Sequence, residues 1–245
     1  MNISPWIKIR SNNKCNKTSL LMIKFWTVKV IRFVTIFFVV AIIIASYFYP
    51  GGNIHDTAQS GYSFTHNFLS DLGGLESHSG EDNIISSIFF NLSMLLFFFI
   101  GISFLFVPIL FKENKPTFIL AIIGSLFFFT GSMFFAGVGF MPYDVFFDLH
   151  VFFALNSFRL MIPASLIYLI VFLRSSLSIK YIAVIASFLF LVTAYVIYLN
   201  IGENPLSNKE AMIASATIQK FIAFMSVMTV FSLSFGFSKR ISNSK

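Results

Sequence analysis

The chain has 245 residues, of which 57% are apolar and only 11% charged, and 35 are Phe. A soluble domain carries charge on roughly a quarter of its residues. The composition therefore excludes a soluble enzyme, a disordered chain and a nucleic-acid binder. The formal charge of +7 does not restore nucleic-acid binding, because the basic residues stand at the ends of apolar runs and not on one face. Cys15 is a lone cysteine, which rules out a disulfide framework and a cysteine metal knuckle.

In chain order, residues 1–29 form a basic leader, residues 30–238 a six-helix transmembrane domain, and residues 239–245 a short polar tail. A bilayer core is crossed by about 20 mostly apolar helical residues. Six windows satisfy that length: Val30–Tyr49, Ile84–Phe111, Thr117–Phe140, Leu149–Leu173, Tyr181–Leu199 and Ala211–Phe237. They are apolar all round, whereas a helix of a soluble bundle keeps a polar face. Breakers separate them: Pro50-Gly51-Gly52, the run Lys112–Pro116, Pro142 with Asp144, Arg174–Lys180, and Gly202 with Pro205. The fold class expected is all-α, a polytopic membrane bundle of six transmembrane helices. The first window, a basic segment followed by an apolar run ending near Ala45-Ser46, resembles a signal sequence. Its long polar leader and the belt Tyr47-Phe48-Tyr49 favour an uncleaved anchor.

With the N-terminus inside, the inner segments hold Lys8, Arg10, Lys14, Lys17, Lys24, Lys29, Arg32, Lys112, Lys115, Arg174, Lys180, Lys239, Arg240 and Lys245, which is 14 of the 17 basic residues. The positive-inside rule then predicts both termini in the cytoplasm of a multi-pass protein of the cell membrane. The loop 50–83 lies outside, together with all four histidines and every acidic residue except Glu113.

The outer loop carries Tyr62-Ser63-Phe64-Thr65-His66-Asn67-Phe68-Leu69-Ser70-Asp71-Leu72-Gly73-Gly74. Half of this segment is apolar, so it is expected to lie in the membrane interface. Two readings stand side by side. In one, it is an amphipathic surface segment ended by a Gly-Gly turn. In the other, His66, Asn67, Ser70 and Asp71 face the mouth of the bundle. Within the spans, Asn91, Asn156, Arg159, Gln219 and Lys220 form a polar layer at similar depth, and ionisable groups at that depth usually face an interior or a wet cavity. Interhelical hydrogen bonding is the plainer account of the same layer. His150 precedes Arg159 by nine residues, which puts them on opposite faces of an ideal helix. A surface group (His66, Asp71, Asp144, Asp148, His150) is thus distinct from the deeper one. Asp71 is expected to pair with Lys220 or Arg159 as a charged lid, because a Lys at this depth needs water or a partner.

No H-x-x-x-H or H-E-x-x-H spacing exists, no Gly-rich phosphate loop precedes a helix, and no G-x-S-x-G elbow occurs. Neither a metal nor a cofactor is expected. The leading function is a membrane protein that binds a lipid or small amphiphile at its outer face, with membrane lipids as its partners. Two alternatives remain. One is a lipid hydrolase or acyl transferase with His150 as general base, oriented by Asp148 or Asp144, and with Asp71 placing a water, metal or nucleophile. The other is a small-solute transporter using Arg159 and Lys220.

Four stretches carry a family resemblance: His66-Asn67-Phe68-Leu69-Ser70-Asp71-Leu72-Gly73; Asn91; Gly139-Phe140-Met141-Pro142 followed by His150-Val151-Phe152-Phe153-Ala154; and Gln219-Lys220. Between residues 31 and 237 the chain resembles the six-span domain-of-unknown-function family 998. More distantly it is similar to the grouping of damage-regulated autophagy modulators and a GPI-anchor remodelling protein. The resemblance implies six spans and a site at these residues. It implies no particular activity, and Lys220 stands where the family often has Arg, which weakens bidentate anion recognition there.

Overall fold

The computed structural model describes residues 18–243. The leader up to residue 17, with Cys15, and the last two residues of the tail lie outside the described residues. Among the described residues, six helices are long and apolar enough to cross a membrane: α1 (Thr18–Phe48), α2 (Ile84–Leu110), α3 (Lys115–Phe140), α4 (Phe147–Leu173), α5 (Ile179–Ile201) and α6 (Lys209–Asn243). Each packs against the next in sequence, and α6 returns to α1, so the helices close into an up-and-down ring. Short connections impose this arrangement, because neighbouring antiparallel helices are what short loops permit. The expected bundle is present.

The helices extend beyond the apolar windows in several places. α1 begins at Thr18 and not at Val30, and passes through a π-helical stretch at Phe25–Val30. A polar residue such as Lys24 or Lys29 lowers the hydropathy of a window without breaking its backbone bonds. α2 is interrupted at Leu96 and closes with a 3₁₀ turn at Val107–Leu110. Asn114 caps α3 by accepting from Thr117 N at 3.0 Å, and Pro116 follows in the first turn, where a missing N–H costs nothing.

The interior explains the abundance of Phe. Phe90, Phe104, Phe111, Phe172 and Phe237 are fully buried beside Tyr168. Phe104 and Phe128 stack with ring centroids 3.5 Å apart, tying α2 to α3. Ser125 Oγ lies 2.6 Å from both the Phe104 carbonyl and the Tyr168 hydroxyl, so one polar knot joins α2, α3 and α4. Small residues set the closest approach. A Cβ on Gly139 would lie 2.6 Å from the Asn91 carbonyl oxygen and 3.0 Å from Met94 Cβ, so α3 touches α2 there only because it has none.

The segment 50–83 covers one end of the ring as a folded cap. It opens with a hairpin of β1 (Gly51–Asn53) and β2 (Asp56–Ser60), antiparallel with Asn53 opposite Asp56. Gly52 has φ +78° and lies so close to the His78–Ser79 backbone that no Cβ fits. After the hairpin, a 3₁₀ turn at Leu69–Gly73 dips onto α2. The hairpin tip reaches the α5–α6 connection, with His55 Nε2 2.9 Å from the Pro205 carbonyl. At the opposite end Arg240 is the fastener: it bonds the Leu110 carbonyl at 2.8 Å, pairs with Glu113 and lies 4.4 Å over the Phe111 ring.

Candidate functional site

The cap is held to the ring by neutral hydrogen bonds to the 3₁₀ turn. Ser86 Oγ donates to the Leu72 carbonyl at 3.0 Å, and Ser87 Oγ to the Gly73 carbonyl at 3.1 Å. Asn83 Nδ2 donates to Gly74 O at 2.9 Å, and Asn91 Nδ2 to Gly73 O at 2.9 Å. From α6, Gln219 Oε1 accepts from Leu69 N at 2.8 Å. Asn91 and Gln219 are thus anchors of the cap. Asn91 Oδ1 is buried without a hydrogen-bond partner among the described residues.

Asn67 is the centre of this arrangement and has no solvent exposure. Its Oδ1 accepts from Gln59 Nε2 at 2.7 Å and from Ser63 N at 3.0 Å. Its Nδ2 donates to Gly52 O at 2.8 Å and to Asp71 Oδ2 at 3.0 Å. Its backbone carbonyl accepts from Lys220 Nζ. Asp71, only 3% exposed, also accepts from Phe68 N at 2.9 Å, and its other oxygen is 3.5 Å from His78 Nε2. The expected direct pairing of Asp71 with Lys220 or Arg159 is corrected here. No carboxylate lies within ion-pair distance of either cation among the described residues. The Asn67 amide stands between Asp71 and Lys220, because its side chain reaches the carboxylate while its carbonyl reaches the ammonium.

Lys220 is 6% exposed, and its ammonium also donates to Ala216 O at 3.1 Å. The rings of Tyr62 and Phe64 each have their centroid 5.4 Å from Nζ. An ammonium has three donors and an affinity for ring faces, so the aromatic pair is a favourable lining. Lys220 lines a largely apolar groove between α1 and α6, about 660 Å³ in volume, whose walls include Phe38, Ile42, Ile43, Phe221 and Phe224.

A second, smaller cavity of about 60 Å³ lies inside the ring beneath the 3₁₀ turn. Ser70, Gln219, Ser226 and His150 supply its polar lining, and Phe38, Leu69 and Ala223 separate it from the groove, lining both. His150 is 5% exposed. Its Nδ1 is 2.6 Å from the Met141 carbonyl, and its Nε2 is buried with no hydrogen-bond partner among the described residues. A carbonyl can only accept, so Nδ1 carries the proton of that bond. The expectation that Asp148 or Asp144 orients His150 is therefore corrected. Asp148 is exposed, two residues and about 200° round the helix from the buried ring. Asp144 instead accepts from Leu75 N at 2.8 Å and Glu76 N at 3.0 Å, locking the α3–α4 connection to the cap.

The remaining candidates lie apart. Asn156 and Arg159 occupy the outward side of α4, where Arg159 Nη1 donates to Asn156 Oδ1 at 3.4 Å and Asn156 donates to the Phe152 carbonyl at 2.8 Å. His66 is tied into its own turn through Thr65 Oγ1, 2.8 Å from Nδ1. Sequence reasoning missed His78 and three tyrosines, Tyr49, Tyr62 and Tyr143. Burial pushes all three phenols well above the ordinary tyrosine range, and the nearby Asp71 carboxylate acts in the same direction. A signal existed in the sequence, since Tyr62 and His78 share the loop of Asp71 and Tyr49 immediately precedes it. Among the described residues, no three His, Cys, Asp or Glu side chains converge as a metal site would require.

The six apolar helices and their polar cap define an integral, multi-pass α-helical membrane protein. No family model, curated protein or solved structure matches the chain.

Proposed function

We propose that the protein binds an anionic membrane lipid in the α1–α6 groove, with the cap at the outer face of the cell membrane and both termini in the cytoplasm. One observation carries this reading: a buried ammonium, with no carboxylate in ion-pair range among the described residues, lines an otherwise largely apolar groove. Such a charge is costly unless an anion compensates it. A lipid phosphate supplies the anion, and its acyl chain fills the wall of Phe and Ile side chains below. The basic residues at the uncapped end support the orientation through the positive-inside rule. The same reading makes the chain a relative of family 998, with Gln219-Lys220 and the Asp71 segment as the shared site.

The test is quantitative lipid analysis of protein purified in mild detergent. The expected result is stoichiometric retention of an anionic glycerolipid by the parent and its loss in Lys220→Met. Equal retention of anionic lipid by the two proteins refutes the reading.

A further inference from the structure

We infer that the lipid held at Lys220 bears a free hydroxyl on its headgroup, as a phosphoglycerol head does, and that this hydroxyl enters the inner cavity and donates to His150 Nε2. The inference rests on the groove reading above and adds the headgroup class to it.

The two cavities are neighbours with a thin wall. Phe38, Leu69 and Ala223 line both, and one of these is a methyl group only. Phe38 is a single ring on α1, and Leu69 opens the 3₁₀ turn. The barrier between a head bound at Lys220 and the inner cavity thus includes the side chains of Phe38 and Leu69.

The chemistry of the inner cavity selects what extends. Nδ1–H of His150 is committed to Met141 O, so Nε2 of the neutral ring is a lone pair without a donor. A buried acceptor left unsatisfied carries a desolvation cost, which any ligand O–H removes. Gln219 adds a second contact. Its Oε1 is taken by Leu69 N, which leaves its amide NH₂ to donate to a further oxygen of the same head. The inner cavity, about 60 Å³, is far smaller than the groove of about 660 Å³. Its size favours the slim hydroxyl end of a chain over a ring or a trimethylammonium group. An ethanolamine head is disfavoured for another reason: its ammonium would lose its hydration in a cavity whose lining holds no carboxylate.

The experiment is native mass spectrometry of the delipidated full-length protein, titrated with lipids of matched acyl chains. The four lipids are phosphatidylglycerol; phosphatidylmethanol, the same monoanionic phosphodiester without a hydroxyl; phosphatidylethanolamine; and phosphatidylcholine. The parent is expected to prefer phosphatidylglycerol over phosphatidylmethanol by on the order of tenfold, the value of one hydrogen bond to a buried acceptor. His150→Phe is expected to abolish that preference while both anionic lipids still bind better than phosphatidylcholine. Ala154→Leu, which fills the inner cavity from α4 at a position that does not line the groove and leaves the Met141 bond untouched, gives the same result and serves where His150→Phe folds poorly. Equal binding of the two anionic lipids to the parent overturns the inference, as does a preference that survives both substitutions or tightest binding of phosphatidylethanolamine. In the first two cases the groove reading stands. If neither anionic lipid outbinds phosphatidylcholine, the groove reading fails as well.

Discussion

Replacing Asn67 by Leu tests whether the cap is a folded, cooperative part of the bundle. The side chain makes four hydrogen bonds, at 2.7, 3.0, 2.8 and 3.0 Å, and has no contact with solvent. Leucine has a similar size and none of these groups. The partners suffer unequally. Gln59 Nε2 keeps Gly61 O, and Asp71 keeps Phe68 N, whereas Ser63 N loses the side-chain acceptor that fixes its turn. At about 1 kcal/mol per exchanged bond, and more for a group left buried and unpaired, the total is about 4 kcal/mol. On a typical unfolding free energy of about 5–15 kcal/mol that is a large fraction. The expected outcome is a Tm lowered by roughly 10 °C for the full-length protein in detergent. Asn67→Asp separates electrostatics from packing. It keeps the two acceptor bonds but sets a second carboxylate against Asp71 Oδ2, a site that cannot hold two negative charges. The folded variant must then retain a proton that the unfolded chain releases, so its stability falls as pH rises and recovers as pH falls. Asn67→Leu has no such pH dependence. A loss of under about 1 kcal/mol in Asn67→Leu refutes the central role given to this residue.

Alkaline pH provides a second check. The phenols of Tyr49, Tyr62 and Tyr143 have raised pKa values in the folded state, so their contribution is complete below the unfolded value of about 10 and is lost as pH climbs beyond it. Tyrosinate absorbance should therefore rise for these three only with unfolding, and Tyr49→Phe with Tyr143→Phe should lessen the alkaline loss of stability. Gly139→Ala places a methyl against Asn91 O and Met94, forcing α2 and α3 apart at a cost of about 1–3 kcal/mol, read from the thermal transition. For orientation, in a Cys15→Ser background an impermeant thiol reagent applied to intact cells should label Glu81→Cys and spare Lys115→Cys. The reverse pattern inverts the proposed topology.

The spans were legible because a lipid-facing helix has to be apolar over its whole crossing, a constraint written directly into the sequence. The cap was less so. Its strands carry Gly, Asn, Asp, Gln and Ser, with no apolar alternation to mark them. The hairpin is built instead by Asn53 Oδ1 accepting from His55 N at 2.9 Å and Asp56 N at 3.0 Å, a turn bond that depends on local backbone angles. In the site, Asn67, Asp71, Gln219 and Lys220 stood out because polar groups are rare in such a chain, and the fold brings these four together. Asn156 and Arg159 share that depth but not that direction. Depth follows from counting residues, whereas the inward face of α4 depends on its neighbours. The nine-residue spacing did carry the relation between His150 and Arg159: one is buried and the other exposed. Nothing in a single sequence indicates that the Met141 carbonyl, nine residues upstream, orients the His150 ring.

The separation of the two buried charges bears on what the groove can do. Had Asp71 and Lys220 met as an ion pair, each would have satisfied the other, and an incoming anion would have had to displace a carboxylate already in place. Asn67 prevents that contact by occupying both, with its amide on the carboxylate and its carbonyl on the ammonium. Asp71 is then spent on the cap, through Phe68 N and His78, and adds only a longer-range attraction to Lys220. The ammonium meets carbonyl dipoles at Asn67 and Ala216 and the faces of Tyr62 and Phe64. These are groups that solvate a cation without cancelling its charge. The charge of Lys220 is thus not cancelled by a carboxylate in contact with it, as the proposed anion-binding site requires. Lys220→Arg keeps the charge but spreads it over a wider fork, which the two carbonyls and the aromatic pair do not fit. It is expected to retain lipid selectivity for anions while lowering stability, whereas Lys220→Met loses the selectivity. If Lys220→Arg loses it too, the site reads ammonium geometry and not charge, and the solvated-cation account fails.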